Sequence, residues 1–317
     1  MNRILKNTLL FFVLVSLFSC KEDETSTAYI VPFSEQAPID DAALREFLST
    51  NYYNEEEFSN AVSIPEFKFD IEFSDEPTAT GYDSNSDGVI DASDVDDTTV
   101  FNRQRLIDLV ETKVISIDDV NHNLYVLRVV NGEGVDQPKF CDSTFLEYKG
   151  MDLNKQVFDN KINPTWLDLA STVRGFSESA SEFKTALGGP IDNGDGTFTY
   201  DKYGVGAVFM PSALGYYASP PSTIGLYSPL IFTLKVLRAV VGTDHDNDGV
   251  PSYLEDLNGD HFLSNDDTDL DRLANYKDVN DDNDPVLTVD EDIDQDGDPT
   301  NDDTDGDGIP NYLDSDS

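Results

Sequence analysis

Cysteine, histidine and tryptophan are scarce in this chain of 317 residues, which has two, three and one of them. No zinc-binding pattern, no glycine-rich phosphate loop and no nucleophile placed beside a base is present. These absences argue against transition-metal catalysis and against hydrolysis by a catalytic triad. Basic residues are also few: 20 Lys and Arg stand against 63 Asp and Glu, and the net charge is −43. This charge argues against electrostatic binding to nucleic acid or to an anionic membrane surface.

An apolar run at residues 9–18 follows a short basic segment and is too short for a comfortable transmembrane helix. It ends in LFSC, which resembles the lipobox of a bacterial lipoprotein signal peptide. By this resemblance residues 1–19 are removed, and Cys20 becomes the lipidated first residue of a tether over residues 20–37. An ordinary signal peptide with a chance cysteine is the alternative.

The four residues after Cys20 are KEDE. They resemble a signal that sends some Gram-negative lipoproteins to the outer face of the outer membrane, and a solvated, charged tether is the alternative. We therefore expect a protein of the cell envelope, held to the outer membrane by its lipid, with the cell surface as the destination that this signal implies. With Cys20 acylated, Cys141 has no partner for a disulfide and is expected to be a buried apolar side chain.

Short strand-like runs separated by turn residues fill most of residues 105–240, with one helix expected over residues 173–183. The clearest strands are NLYVLRVV, STFLEYKGM, GAVFMPSA and LIFTLKVL. They predict an α+β fold, with an antiparallel sheet wrapped around one short helix. A hairpin is expected to turn at Asp195–Gly196. Upstream, IDDAALREFLSTN predicts a short helix capped by Asp40 or Asp41, and IPEFKFDIEF alternates like a strand.

Four segments resemble, in their order, the FKBP-type peptidyl-prolyl isomerase domain. LEYKGMDLNKQVFDNK has Tyr-x-Gly and then Phe-Asp, and TVRGFSESASEF has Val-Arg-Gly-aromatic at the start of a helix. MPSALGYY has Pro-Ser and then Tyr, and TIGLYSPLIFTLKVL has Ile and then a final strand with Phe. Each motif alone is weak, and their order over about residues 120–240 makes the resemblance specific.

The resemblance implies that eight residues line or complete a proline-binding pocket and carry catalysis: Tyr148, Phe158, Asp159, Val173, Phe176, Tyr216, Ile224 and Phe232. Tyr216 corresponds to the hydroxyl donor, and Phe176 stands where the family usually has a tryptophan. Trp166 and Tyr217 are implied as further substrate-binding residues. Tyr217 stands where glycine is usual, and its side chain is expected to narrow the pocket mouth. The implied activity, prolyl isomerisation, needs no cofactor; an inert pocket that only binds prolyl peptides is the alternative.

Acidic side chains recur with the spacing of a calcium-binding loop, which has oxygen ligands at positions one, three and five and a carboxylate at position twelve. Good matches start at residues 83, 244, 292 and 303, and poorer matches start at residues 256 and 278. The expected calcium ligands are Asp83, Asn85, Asp87, Asp94, Asp244, Asp246, Asp248, Glu255, Asp292, Asp294, Asp296, Asp303, Asp305, Asp307 and Asp314.

Prolines directly after the tail loops argue against the flanking helices of a true EF-hand. The tail, residues 241–317, more closely resembles thrombospondin type 3 or other EF-hand-like acidic repeats, in which the chain wraps around ions. The resemblance implies a structural role for calcium. The alternatives are a disordered acidic tail and, for residues 83–94, an acidic surface loop.

These patterns predict five regions: a signal peptide at 1–19, a tether at 20–37, an N-terminal region at 38–119, an FKBP-like isomerase domain at 120–240 and calcium-binding repeats at 241–317. The predicted function is to isomerise prolyl bonds as a folding helper for envelope or secreted polypeptides. Contact with the membrane is expected through the lipid, and none is expected with nucleic acid. The alternative is an inert FKBP-like binding or adhesion lipoprotein on a calcium-stiffened stalk.

Overall fold

The computed structural model describes residues 29–58, 70–80 and 100–316. Cys20 and the calcium-type loop expected at residues 83–94 lie outside these ranges. From Val31 onward the described chain belongs to one compact unit. No helix in the described ranges combines the length and the apolar character needed to cross a bilayer.

The N-terminal helix begins earlier than the sequence predicts. Helix α1 spans Phe33–Thr50 with Pro32 as its N-cap, so Asp40 and Asp41 lie inside it and neither caps it. Asp40 is 1% exposed and accepts hydrogen bonds from the Ser212 backbone N–H at 2.8 Å and from the Ser212 hydroxyl at 2.6 Å. The Asp40 carboxylate, which the sequence predicts to cap the helix, therefore binds Ser212, a residue far along the chain.

The elements after α1 are β1 Tyr52–Tyr53, α2 Glu55–Phe58, β2 Phe73–Ser74, β3 Thr78–Ala79, β4 Phe101–Asn102, β5 Glu111–Ile117, β6 Val120–Val130, β7 Ser143–Asp152, β8 Val157–Asp168, α3 Arg174–Ala180, β9 Ile191–Asp192, β10 Phe198–Thr199, β11 Gly204–Met210 and β12 Leu230–Val240. Six of the strands form an antiparallel sheet at the centre of the fold, in the order β5-β6-β11-β12-β7-β8. The shorter strands pair as β1–β2, β3–β4 and β9–β10, the last across the expected turn. The predicted α+β class, with an antiparallel sheet and a short helix against it, is confirmed in this form.

Both faces of the sheet are covered. On one face Leu127 and Phe209 join a core with Leu44 and Leu48 of α1. On the other face, Val208 joins a core that includes α3. Central strand β11 is buried at every residue, which explains its continuous apolar sequence, since both faces of that strand need apolar cover.

The sheet begins before the expected domain boundary at residue 120. Edge strand β5 pairs with β6 from Glu111 to Ile117, and α1 supplies the cover for one sheet face. The structure therefore does not separate residues 38–119 from the sheet that follows. Cys141 is a free, fully buried cysteine in the described chain, as expected.

After β12 the chain forms six successive twelve-residue loops with little regular structure. The loops are residues 244–255, 256–267, 267–278, 280–291, 292–303 and 303–314. Five of them close on a single 3-10 turn instead of an α-helix: Leu263–Asn265, Asn275–Lys277, Thr288–Asp290, Pro299–Asn301 and Asn311–Leu313. Asp142 fixes the start of this tail, because its carboxylate accepts from the backbone N–H groups of Gly242 and Thr243 at 3.0 Å each.

Candidate functional site

A cleft of about 250 Å³ opens between the α3 end of the sheet and the segment after β11. Six of the eight residues expected from the family resemblance line it: Tyr148, Asp159, Val173, Phe176, Tyr216 and Phe232. Leu167, Ser171 and Thr172, which the sequence did not single out, complete the lining. No motif marks these three: Leu167 lies near the end of β8, and Ser171 and Thr172 lie in the segment between β8 and α3.

Five aromatic rings pack edge to face around the floor and walls of the cleft. Phe176 and Phe232, each 3% exposed, have ring centroids 5.1 Å apart at 81°. Tyr148 lies 5.4 Å from Phe176, and Phe158 lies 5.6 Å from Phe232 and 6.5 Å from Tyr216. T-shaped pairs place a ring edge against a ring face, which adds about 0.5–1.5 kcal/mol to each pair beyond burial. The floor is therefore apolar and rigid.

A β-bulge brings two consecutive side chains to this site. Gly150 pairs with Asp159 and Met151 pairs with Val157, so Phe158 has no partner in the ladder. A bulge turns neighbouring residues to one side that regular pairing would place on opposite faces. Phe158 thus joins the aromatic cage while Asp159 accepts a 2.7 Å hydrogen bond from the Tyr148 hydroxyl.

The Tyr216 hydroxyl has no hydrogen-bond partner within the described chain. Burial, together with the nearby Asp159 charge, raises the pKa of Tyr216, so the hydroxyl keeps its proton at neutral pH. It is therefore a donor available to a ligand in the cleft. Tyr148 differs, because its hydroxyl already donates to Asp159.

Tyr217 turns away from the cleft, and the expectation that it narrows the mouth is not met. Its hydroxyl donates to the Val31 carbonyl at 2.5 Å, and its ring packs 4.7 Å from Phe33 and 4.8 Å from Tyr227. Its φ of 47° lies in the left-handed region, which explains why glycine suits this position in the family. The N-terminal segment holds a tyrosine in that strained conformation.

Trp166 also lies away from the cleft. It is 44% exposed and its ring packs 5.2 Å from Phe145, which contacts the core on the α1 face of the sheet. The register of β8 shifts before Trp166, so sequence distance from Phe158 does not show which face it occupies. Ile224 is 8% exposed and supports the same core as Phe176 without lining the cleft.

A Ser–His–Asp contact that the sequence did not reveal lies outside the cleft. His245 Nδ1 is 2.8 Å from Ser252 Oγ, and His245 Nε2 is 3.2 Å from Asp168 Oδ1. Ser252 is completely buried, so its hydroxyl cannot reach a substrate carbonyl. The three residues connect the first tail loop to the end of β8 and do not provide a nucleophile.

The tail loops share one hydrogen-bond pattern. In the loop at residues 244–255, the Asp244 carboxylate accepts from the Gly249 N–H at 3.1 Å, and Asp248 accepts from the Val250 N–H at 2.8 Å. The first bond, from position six to position one, recurs in the loops that start at residues 256, 267, 292 and 303. The loop at 280–291 lacks it because Pro285 at position six has no N–H. These bonds fold each loop so that its alternate carboxylates converge.

Carboxylate oxygens approach within 4.8 Å of one another in several clusters. Two of the expected ligand sets are partly reproduced, with Asp244, Asp246 and Asp248 in one cluster and Asp292 with Asp294 in another. The third residue of the second cluster is Asp302, whereas the sequence predicted its neighbour Asp303. The remaining expected ligands lie along the same loops: Glu255 in a cluster with Asp248, Asp296 at position five, and Asp303, Asp305, Asp307 and Asp314 in the last loop.

Two further loops contain clusters that the sequence analysis did not assign. These are Asp267, Asp269 and Asp271 in one loop, and Asp282, Asp284 and Glu291 in the next. Both loops have the full spacing, but position six is Arg272 or Pro285 instead of glycine. Arg272 adopts φ 85°, the conformation of the glycines at this position in other loops. Spacing alone, without the glycine requirement, would have found the first loop, and the second lies within the poorer match that starts at residue 278.

Without a cation, these carboxyl groups crowd one another. Burial, and then the charges of Asp246, Asp281 and Asp248, raise the pKa of Glu255 to about 10. Burial and the Asp248 charge raise the pKa of Asp281 to about 9. A divalent cation with hard oxygen preference fits such a donor set, because it would neutralise the charges that burial disfavours.

Comparisons with known proteins match parts of the chain. A family model described as BamM C-terminal matches residues 245–298, within the acidic loops. No curated protein matches the chain. Solved structures that include peptidyl-prolyl isomerases cover about 40% of the chain.

One neighbour is a peptidyl-prolyl cis-trans isomerase from Pseudomonas syringae pv. tomato. It is 18% identical, 40% of this chain and 80% of that chain are covered, and the TM-score is 0.31. FkpA from Escherichia coli is 22% identical, with 40% and 51% covered and a TM-score of 0.31. A multi-domain immunophilin from Arabidopsis thaliana is 15% identical, with 41% and 46% covered and a TM-score of 0.30. The match thus spans about half the length of the last two proteins.

Proposed function

We propose that the aromatic cleft is the active site of a peptidyl-prolyl cis-trans isomerase that acts on unfolded polypeptides. The observation that carries this proposal is the free Tyr216 hydroxyl beside a cleft whose floor is formed by Phe176 and Phe232. Neither a nucleophile nor a cofactor is required by this chemistry.

The physical argument starts from the amide bond. Rotation about an Xaa–Pro bond has a barrier of about 18–20 kcal/mol, because resonance stabilises the planar amide. The twisted transition state has lost that resonance, and its carbonyl carries less charge. An apolar aromatic floor favours this less polar state over the planar amide, and the Tyr216 hydroxyl can hold a substrate carbonyl in place. The Tyr148–Asp159 hydrogen bond fixes one wall in position.

The deciding experiment is a protease-coupled assay of a tetrapeptide that contains one Xaa–Pro bond, with the full chain. We expect the cis form to convert faster than the uncatalysed rate, in proportion to protein concentration. An unchanged rate would remove the isomerase proposal. If the peptide nevertheless binds and shifts Tyr216 or Tyr148 fluorescence, the alternative of an inert binding lipoprotein gains support.

We also propose that calcium ions occupy the tail loops and have a structural role. The support is the convergence of alternate carboxylates in loops that share one hydrogen-bond pattern, with buried oxygens left without donors. Carboxylate oxygens are the ligands that Ca²⁺ prefers, and its flexible coordination of six to eight ligands suits irregular loops. The corresponding loop at residues 83–94 is included in this proposal on its spacing alone.

The last part of the proposal concerns location. The signal-peptide pattern and the LFSC sequence support export and lipid attachment at Cys20, which would place the isomerase in the cell envelope at the outer membrane. Cells fed with labelled palmitate should incorporate label into the wild-type chain, and the Cys20→Ser variant should remain unlabelled. Equal labelling of both chains would contradict lipidation at this residue.

A further inference from the structure

Resting on the calcium binding proposed above, we propose that Asp248, Glu255 and Asp281 together form one buried calcium site that joins two tail loops distant in sequence. Asp248 and Glu255 belong to the loop at residues 244–255, whereas Asp281 comes from the loop at residues 280–291. The tail would then be a set of loops tied together by shared ions, in contrast to a chain of independent calcium loops.

The geometry of the three side chains supports one shared ion. Each offers a carboxylate oxygen, and these oxygens all lie within 4.8 Å of one another. Asp248 and Asp281 are 1% exposed, and Glu255 is not exposed at all. A contact of this kind between residues of two different loops requires the tail to fold back on itself.

The same carboxylates have no other source of neutralisation. Asp248 Oδ2 and both carboxylate oxygens of Glu255 and of Asp281 are buried and have no hydrogen-bond partner in the described chain. No salt bridge within the described residues connects any of the three to Lys, Arg or His. Burying an ionised carboxylate without a partner is strongly unfavourable, so these five oxygens point to a missing positive charge.

The donor set favours calcium over other cations. Five free carboxylate oxygens from three residues can supply most of the six to eight oxygen ligands that Ca²⁺ takes, with bidentate contacts from Glu255 and Asp281. Mg²⁺ demands a smaller octahedral shell and usually retains several waters, which a fully buried site does not accommodate. Structural zinc sites in proteins typically use cysteine sulfur and histidine nitrogen ligands, and the cluster has neither.

The position of Asp281 links this site to a second one. The next residue, Asp282, belongs to the cluster with Asp284 and Glu291. Two consecutive carboxylates thus point to two different clusters, so an ion at one site holds the backbone that presents the ligand for the other. Calcium binding at the two sites is therefore expected to be cooperative.

The test compares two variants of the full chain by calcium titration in a calorimeter at fixed ionic strength. Asp281→Asn keeps the shape of the side chain but removes a charge from the shared site. Asp290→Asn removes the same charge from an exposed position in the same loop. We expect Asp281→Asn to bind one ion fewer, or to bind it at least about tenfold more weakly, a loss of about 1.4 kcal/mol. Asp290→Asn should match the wild type.

Wild-type stoichiometry and affinities in Asp281→Asn would overturn the proposal. Because loss of binding in that variant also follows if the tail unfolds, a second measurement uses Tb³⁺ as a luminescent substitute for Ca²⁺. Tyr312 is 3% exposed, and burial, followed by the charges of the nearby Asp281 and Glu255, raises its pKa. Tyr312→Phe should reduce tyrosine-sensitised Tb³⁺ emission while the number of bound ions stays the same. Unchanged emission would also contradict a shared site here.

Discussion

Replacing Phe232 with alanine is expected to reduce isomerase activity by about 10–100-fold, equivalent to about 1.4–2.8 kcal/mol of transition-state stabilisation. Phe232 contacts three other rings of the cage, those of Tyr148, Phe158 and Phe176. Its removal lets water reach the floor and frees the neighbouring rings to move. A wetter, more polar floor no longer favours the less polar twisted amide. The measurement is kcat/KM in the protease-coupled assay.

Stability must be separated from catalysis in this experiment. Phe232 is 3% exposed, and truncating a buried phenylalanine costs about 3–5 kcal/mol of unfolding free energy. The assay therefore belongs at a temperature and denaturant concentration where circular dichroism shows the variant folded. Phe232→Leu offers a milder change that keeps most of the volume and loses only the ring.

Trp166→Ala is the matched control, because it also removes a large aromatic ring from the same sheet. Trp166 lies on the α1 face, 44% exposed, and packs against Phe145. We expect wild-type kcat/KM for this variant. If Trp166→Ala and Phe232→Ala lose activity equally, the cleft described above is not the site of catalysis.

Removing calcium is expected to unfold the tail while the sheet stays folded. Chelation would leave the acidic loops with no counter-charge, because the tail contains a single lysine and a single arginine. Each occupied site stabilises the folded tail by about 2.7 kcal/mol when free calcium is about 100 times its dissociation constant. Limited proteolysis with EDTA, mapped by mass spectrometry, should give cleavage within residues 244–316 and little within β5 to β12.

Adding excess calcium back should restore resistance, and magnesium at the same concentration should restore much less. A tail that resists protease equally with and without EDTA would contradict calcium binding. Hydrogen exchange provides a second measurement in the same samples. His261 of the tail lies 2.8 Å from Glu178 of α3, and Arg174 of α3 donates to the Asp260 carbonyl. Amides of α3 should therefore exchange faster after chelation.

The resemblance to the FKBP family predicted the cleft better than local patterns predicted its surroundings. Of the eight residues that the resemblance implied, six line the cleft. Trp166 was misplaced because a register shift in β8 breaks the alternation that links sequence distance to sheet face. Asp40 was misplaced as a helix cap because Ser212, a residue far along the chain, binds its carboxylate.

The acidic tail shows the same division between local and distant information. Spacing at positions one, three, five and twelve predicts which carboxylates converge within a loop. It does not predict that Asp281 reaches the loop at residues 244–255, since that contact depends on how loops stack. The requirement for glycine at position six also hid the loop at residues 267–278, although Arg272 adopts the left-handed conformation at that position.

Gly150 helps to judge whether a related sequence can form the same aromatic cage. A β-carbon on this residue would lie 2.6 Å from Phe232 Cε1 and 2.8 Å from Phe158 Cζ, closer than carbon atoms approach in proteins. Because Gly150 has no side chain, the rings of Phe158 and Phe232 can occupy the space beside its Cα atom. The position requires glycine for its small size and not for backbone flexibility. A homologue with the aromatic residues but with alanine or a larger residue at this position cannot assemble the same cage. Such a chain should be classified as a fold relative before it is classified as an isomerase.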